Sequence, residues 1–287
     1  MRAAQELGER LGMVKRAFQA CADVATPGPH AALALAALTG IESILRVAPT
    51  RASLGEGGFA GAVADGEDFA LADGGYGLVV SLLALHHVND LPGALIQMRR
   101  ALRPDGLMLA CLFGGDTLNE LRWSLIQAEG EISHGASPRV APFADLRALG
   151  GLLQRAGFAL PVADVDRVVA RYADMGALMR DLRAMGAANA LCARSRKPLR
   201  RDVLARAGAL YAERFSDPDG RIRATFDLAW ISGWAPHGSQ PKPLKPGSAA
   251  MRLADALTAS PTANDARTAG TAGESAASAA AGPPVEF

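Results

Sequence analysis

Cysteine is scarce in this chain: Cys21, Cys111 and Cys192 are the full complement, far apart and odd in number. With no CxxC pair and no matching histidine spacing, a disulfide framework and a zinc centre are both excluded, and reduced, buried thiols are predicted. No metal ligand set is predicted. An excess of charge is also lacking, because 30 Lys and Arg face 29 Asp and Glu. No net field therefore draws in a nucleic acid or an anionic membrane, and neither is predicted as a partner. Long apolar runs are absent too. Nothing approaches the roughly 18 uncharged residues of a membrane span, although peripheral association stays open. Glu6 and Glu9 interrupt the first residues in a way that signal sequences and presequences avoid. The expectation is a cytoplasmic protein. Nucleophile-elbow, P-loop and HExxH motifs are missing as well.

What the chain does have is apolar bulk: 49% of its residues are hydrophobic, ample for a buried core in 287 residues. Its most informative stretch begins at Tyr76. An apolar β-type run to Leu85 ends in His86, His87, Asn89 and Asp90. A helix follows, and the Arg103-Pro-Asp-Gly106 turn leads into a second apolar run to Phe113. Strand, helix, strand is the unit of a parallel sheet, and such sheets bind ligands outside the carboxyl ends of their strands.

The same pattern extends along the chain. Helical spacing runs from residue 2 to 19, with Leu7, Leu11 and Val14 on one face. A strand over Phe18–Val24, a helix over His30–Leu38, a strand over Ile41–Val47 and a short strand near Gly61–Asp65 follow. Residues 174–186 and 198–215 read as an inserted helical pair, the first with Leu178, Leu182 and Met185 in register. Thr225–Trp234 reads as a late strand that closes the sheet. The expected architecture is α/β, a mostly parallel sheet with helices on both faces and one helical insertion, over residues 1–257. Residues 258–287 are Ala, Ser, Thr and Gly with little to bury, and a disordered tail is expected there.

Candidate site residues collect at the predicted sheet edge. His86 can serve as a base or hydrogen-bond donor near neutral pH, whereas His87 reads as pocket lining. Asn89 and Asp90 read as helix caps before Pro92. Gly114-Gly115-Asp116-Thr117, with Glu120 three residues after Thr117, supports two readings. One is a capping box; the other is a substrate backbone over the glycines, with Asp116 and Glu120 as paired carboxylates for a guanidinium. His237, Ser239 and Gln240 read as a surface turn, and the basic run from Arg194 to Arg201 as a solvated loop or a docking surface for an acidic partner.

Asp65-Gly-Glu67, Asp73-Gly-Gly-Tyr-Gly-Leu-Val-Val-Ser81 and Leu102-Arg-Pro-Asp-Gly-Leu107 resemble the class I S-adenosylmethionine-dependent methyltransferases. Within that superfamily, Leu85–Pro92, Phe113–Arg122, Pro142-Phe143 and Gly233–Gln240 resemble the methyltransferase-fold assembly factors of respiratory complex I and their bacterial relatives. The likeness covers roughly residues 5–257. It implies a Rossmann-like fold, S-adenosylmethionine as cofactor against Asp23, Gly28, Asp65, Glu67 and Ser81, and His86, Asp116 and Glu120 in catalysis. It also implies a protein substrate, an arginine of a complex I subunit being the candidate, or a role in assembly, in a bacterial cytoplasm. The chain departs from the cofactor pattern. Ala25, Pro27 and Pro29 stand where that fold presents glycines, and Arg46 stands near where an acid would accept bonds from the ribose. Three functions stay open: a protein-modifying enzyme, a cofactor-less assembly chaperone, and a small-molecule or acyl-carrier carboxyl methyltransferase.

Overall fold

Seven strands form one sheet in the computed structural model, which describes residues 1–55 and 58–241. The elements run α1 (Arg2–Gly12), β1 (Ala20–Val24), α2 (His30–Ala36), β2 (Ser43–Ala48), α3 (Arg51–Leu54), β3 (Ala60–Val63) and β4 (Tyr76–Leu82). A 3₁₀ turn at Leu85–His87 precedes α4 (Leu91–Ala101), β5 (Leu102–Phe113), α5 (Asn119–Ser133), α6 (Leu146–Arg155) and β6 (Ala159–Tyr172). Then come α7 (Met175–Ala184), α8 (Arg201–Phe215) and β7 (Ile222–Trp234). The strand order is β3-β2-β1-β4-β5-β7-β6, with β1 to β5 parallel to one another and β7 antiparallel to both β5 and β6.

The central strands are apolar along their length because both faces of the sheet are covered. On one face Val24, Val79, Met108 and Leu112 pack with Leu95 and Met98 of α4 and Leu149 and Leu153 of α6. On the other, Leu78, Val80, Leu109 and Trp230 meet Leu7 and Leu11 of α1 and Leu35 of α2. Helices α5, α7 and α8 bury Leu121, Leu125, Leu178, Leu182, Val203 and Tyr211 in a third cluster that reaches Phe226 on β7. The inserted pair thus builds its own layer beside the end of the sheet.

Four expectations need correction. The first helix stops at Gly12 rather than at 19, and Phe18 beyond it is only 6% exposed in the sheet core. The Arg103–Gly106 segment is the start of β5 and not a separate turn; Asp105 takes a left-handed φ of 64° and the pairing with β4 shifts register between Tyr76 and Leu78. Met185 is exposed although Leu178 and Leu182 are buried. The late strand does not close an edge: β7 is inserted between β5 and β6, which leaves β6 at the margin. The compact unit runs from Met1 to Gln240. The expected domain limit at 257 and the tail from 258 lie outside the described residues.

Candidate functional site

Two hollows open at the carboxyl ends of the parallel strands, and they share a wall. The larger has a volume of 560 Å³ and is lined by His86, Phe113, Phe143, Asn189 and Phe226 among others. The smaller, of 190 Å³, is lined by Ala25, Pro27, Ala48, Asp65, Glu67 and Phe69 among others. His87 and Val88 belong to both.

The chain turns sharply after β4 because Leu83 is left-handed, with φ of 53°, and the 3₁₀ turn that follows sets His86 and His87 in the cavity wall. His86 lies in an aromatic group, its ring centroid 4.1 Å from His87, 4.6 Å from Phe113 and 5.9 Å from Phe143. Phe113 in turn stands 5.9 Å from Phe226. Burial, with His87 adding a smaller effect, drives the His86 imidazolium down to about 3. The ring is therefore neutral at physiological pH, and its Nδ1 is buried with no hydrogen-bond partner. Asp90 caps α4 by accepting a 2.9 Å bond from the Gly93 N–H. Asn89 donates from both its backbone and its side chain to Glu67, at 2.9 and 3.0 Å.

The other wall of the cavity comes from two loops. Residues Arg139 to Phe143 are held against α5 by Glu129, which accepts bonds from Arg139 at 2.6 and 2.9 Å and from the Ser137 N–H at 2.8 Å. Residues Ala187 to Ala193 form a second side, tied to the first by a 2.6 Å bond from the Asn189 side chain to the Pro138 carbonyl. Cys192 lies exposed on this loop, so the expectation of three buried thiols holds for Cys21 and Cys111 alone. Sequence reading misses Arg139, Asn189, Cys192 and Phe226 as lining residues. The one available signal is the lone Asn189 in a small-residue stretch directly after α7.

Asp116 and Glu120 are not brought to this cavity. Asp116 accepts a 2.5 Å bond from Arg167, which also grips Asp227 at 2.7 Å. Glu120 is buried and takes both the backbone N–H and the hydroxyl of Thr225. The capping box is also absent: α5 starts from Leu118 with no side-chain cap, and the Thr117 hydroxyl instead accepts from the Asp227 N–H at 3.0 Å. A Cβ on Gly114 would stand 3.3 Å from that of Asp227, so close packing against β7 favours a glycine there. His237, Ser239 and Gln240 form a surface turn, with Gln240 bonded to Asp105 at 2.9 Å.

Of the five residues expected at a cofactor, Asp65 and Glu67 line the smaller cleft while Asp23, Gly28 and Ser81 do not. Two backbone N–H groups, of Glu67 and Asp68, hold the Asp65 carboxyl below its ordinary range. Asp23 and Ser81 are fully buried in the sheet, and Gly28 points its carbonyl at Arg46. Arg46 is not at the end of β2, which is Ala48; it lies two residues earlier, buried against Asp23. Ala48, the last residue of β2, is part of the cleft wall. Among the described residues no group of three His, Cys, Asp or Glu could hold a metal ion, and no helix is long and apolar enough to cross a membrane.

Residues 25–110 match a family model described as "Methyltransferase domain". A structure assigned as a methyltransferase from Bacillus halodurans C-125 superposes with a TM-score of 0.56 at 15% identity, over 83% of this chain and 100% of that one. The chain has the class I methyltransferase fold. It is also 43% identical over 194 residues to "Arginine-hydroxylase NDUFAF5, mitochondrial" of Danio rerio, covering 67% of this chain and 60% of that protein. The human counterpart is 43% identical with 67% and 56% coverage. A "Malonyl-[acyl-carrier protein] O-methyltransferase" of Laribacter hongkongensis is 39% identical, with 60% and 56% coverage. The chain thus spans little more than half the length of these curated relatives. The expectation of a cytoplasmic protein is corrected by them, because the arginine-hydroxylase relatives are mitochondrial proteins.

Proposed function

We propose that this protein acts on an arginine side chain of a respiratory complex I subunit during assembly, and that the 560 Å³ cavity receives that side chain. The observation that carries this reading is the neutral imidazole of His86, which lines the cavity together with Phe113, Phe143 and Phe226. Aromatic rings attract a cation by about 0.5–1 kcal/mol at an exposed site and by about 2 kcal/mol when it is desolvated, and a neutral imidazole nitrogen accepts a guanidinium N–H. A protonated histidine there would repel the same ligand. Arg139, the one cation of the wall among the described lining residues, is already neutralised by Glu129. The mitochondrial relatives, whose name is arginine-hydroxylase, support the same substrate class.

A second reading, methyl transfer to an acyl-carrier carboxyl, is favoured by the 39% identical relative and by the wall that cleft and cavity share at His87. Mass spectrometry of complex I subunits from cells with and without the gene separates the two. The expected result is one arginine that carries one extra oxygen only when the gene is present. Identical subunit spectra, with unchanged complex I content, would contradict the proposal.

A further inference from the structure

The smaller cleft sits where this fold places S-adenosylmethionine, but its chemistry does not match that molecule. S-Adenosylmethionine brings a ribose diol that needs an acceptor, an amino acid carboxylate that needs donors, and a sulfonium that needs room. Much of the acceptor capacity is already in use. Both oxygens of Glu67 are taken, Oε1 by the backbone and side-chain amides of Asn89 and Oε2 by the Asp90 N–H. Asp65 Oδ1 takes the Glu67 and Asp68 N–H groups, each at 2.8 Å. At the end of β2, Ala48 and Pro49 offer the ribose only apolar surface.

The loop after β1 gives up two donors as well, since Pro27 and Pro29 have no N–H to give a carboxylate. Ala25 keeps the left-handed backbone that a glycine would adopt there, with φ of 57°, but adds a methyl group to the cleft wall. Room is short too. The 190 Å³ hollow falls below the roughly 300–1,000 Å³ of sites for molecules of this size.

The loop is instead organised from inside by Arg46. Its buried guanidinium bonds to the Asp23 carboxylate at 3.2 Å, to the carbonyls of Thr26 and Gly28 at 3.4 and 2.5 Å, and to the Leu54 carbonyl. One side chain thereby ties β1, the loop after it and the end of α3 together. We infer that this chain keeps the methyltransferase fold without binding S-adenosylmethionine, and that the Asp23–Arg46 pair holds the cofactor loop in the cofactor's place.

Calorimetric titration of the full chain with S-adenosylmethionine and with S-adenosylhomocysteine tests this directly, alongside melting curves with each ligand. No saturable heat and no rise in melting temperature are expected at about 1 mM ligand, because a ligand that binds only the folded state stabilises it by RT ln(1 + [L]/Kd). Saturable binding of either compound, with a matching rise in melting temperature, would overturn the inference. The variant Ala25→Gly, Pro27→Gly, Pro29→Gly, Ala48→Asp is the companion measurement. It is expected to gain S-adenosylhomocysteine binding at least tenfold over the parent chain. Should this variant fail to fold, the titration of the natural chain still decides. Failure here leaves the cavity proposal standing, because the mass-spectrometric readout reports on the partner subunit and not on this cleft.

Discussion

Replacing Arg46 with methionine is expected to destabilise the protein by roughly 3–5 kcal/mol, the cost of leaving a buried charge without its partner. The side chain of Arg46 is 3% exposed and that of Asp23 is fully buried, so water cannot take over the lost bonds. Three backbone carbonyls lose their donor at the same time. The effect has a signed pH dependence. Burial already pushes the Asp23 carboxyl up to about 6, against the opposing bonds from Thr26 and Arg46. Without the guanidinium it rises further, and a folded-state value above the unfolded one means stability that is present in acid and lost as pH rises. The gap between parent and Arg46→Met is therefore expected to be wider at pH 8 than at pH 5 in urea denaturation. A gap that narrows as pH rises would show that Asp23 is not the group left uncompensated.

Glu120→Ala is expected to cost about 2–4 kcal/mol through two buried donors left unsatisfied, the N–H and the hydroxyl of Thr225. This contact joins the first turn of α5 to β7, so its loss loosens the layer that carries the cavity wall. Glu120→Gln keeps an acceptor for the N–H and an amide for the hydroxyl, and is expected to recover most of the loss. If Glu120 acted on a substrate instead, the glutamine variant would be as damaged in function as the alanine variant while melting like the parent. Melting temperature and arginine modification measured on both variants distinguish the two roles.

The sheet was legible because its strands announce themselves: apolar runs such as Tyr76–Leu82 alternate with helical spacing and are separated by turn residues. Arg103–Gly106 misled because turn chemistry was absorbed into β5, where Asp105 supplies the positive φ and donates its N–H to the Ala235 carbonyl while the Gly106 carbonyl accepts from the Ala235 N–H. In the candidate site, His86 and His87 were legible from their place just after a strand. Asp116 and Glu120 were misread because their partners, Arg167 and Thr225, lie 51 and 105 residues away, and no local spacing reveals such pairs. Arg46 was read near its place but not in its role. The Ala187–Ala193 wall has no periodicity at all, and only the packing of α7 and α8 brings it to the cavity.

The 560 Å³ cavity is expected to accept a guanidinium beside a neutral His86. A capped Gly-Gly-Arg-Gly-Gly peptide and its citrulline counterpart, titrated while NMR signals of His86 and Phe143 are followed, measure this most directly. The arginine peptide is expected to bind at least about tenfold tighter, a difference of about 1.4 kcal/mol, and to shift both signals. Its affinity should hold between about pH 7.5 and 5.5, since His86 stays neutral down to about 3 whereas an ordinary histidine, near 6.5, would charge within that range. Equal affinity for the two peptides, or an arginine affinity that collapses toward pH 5.5, would contradict the account.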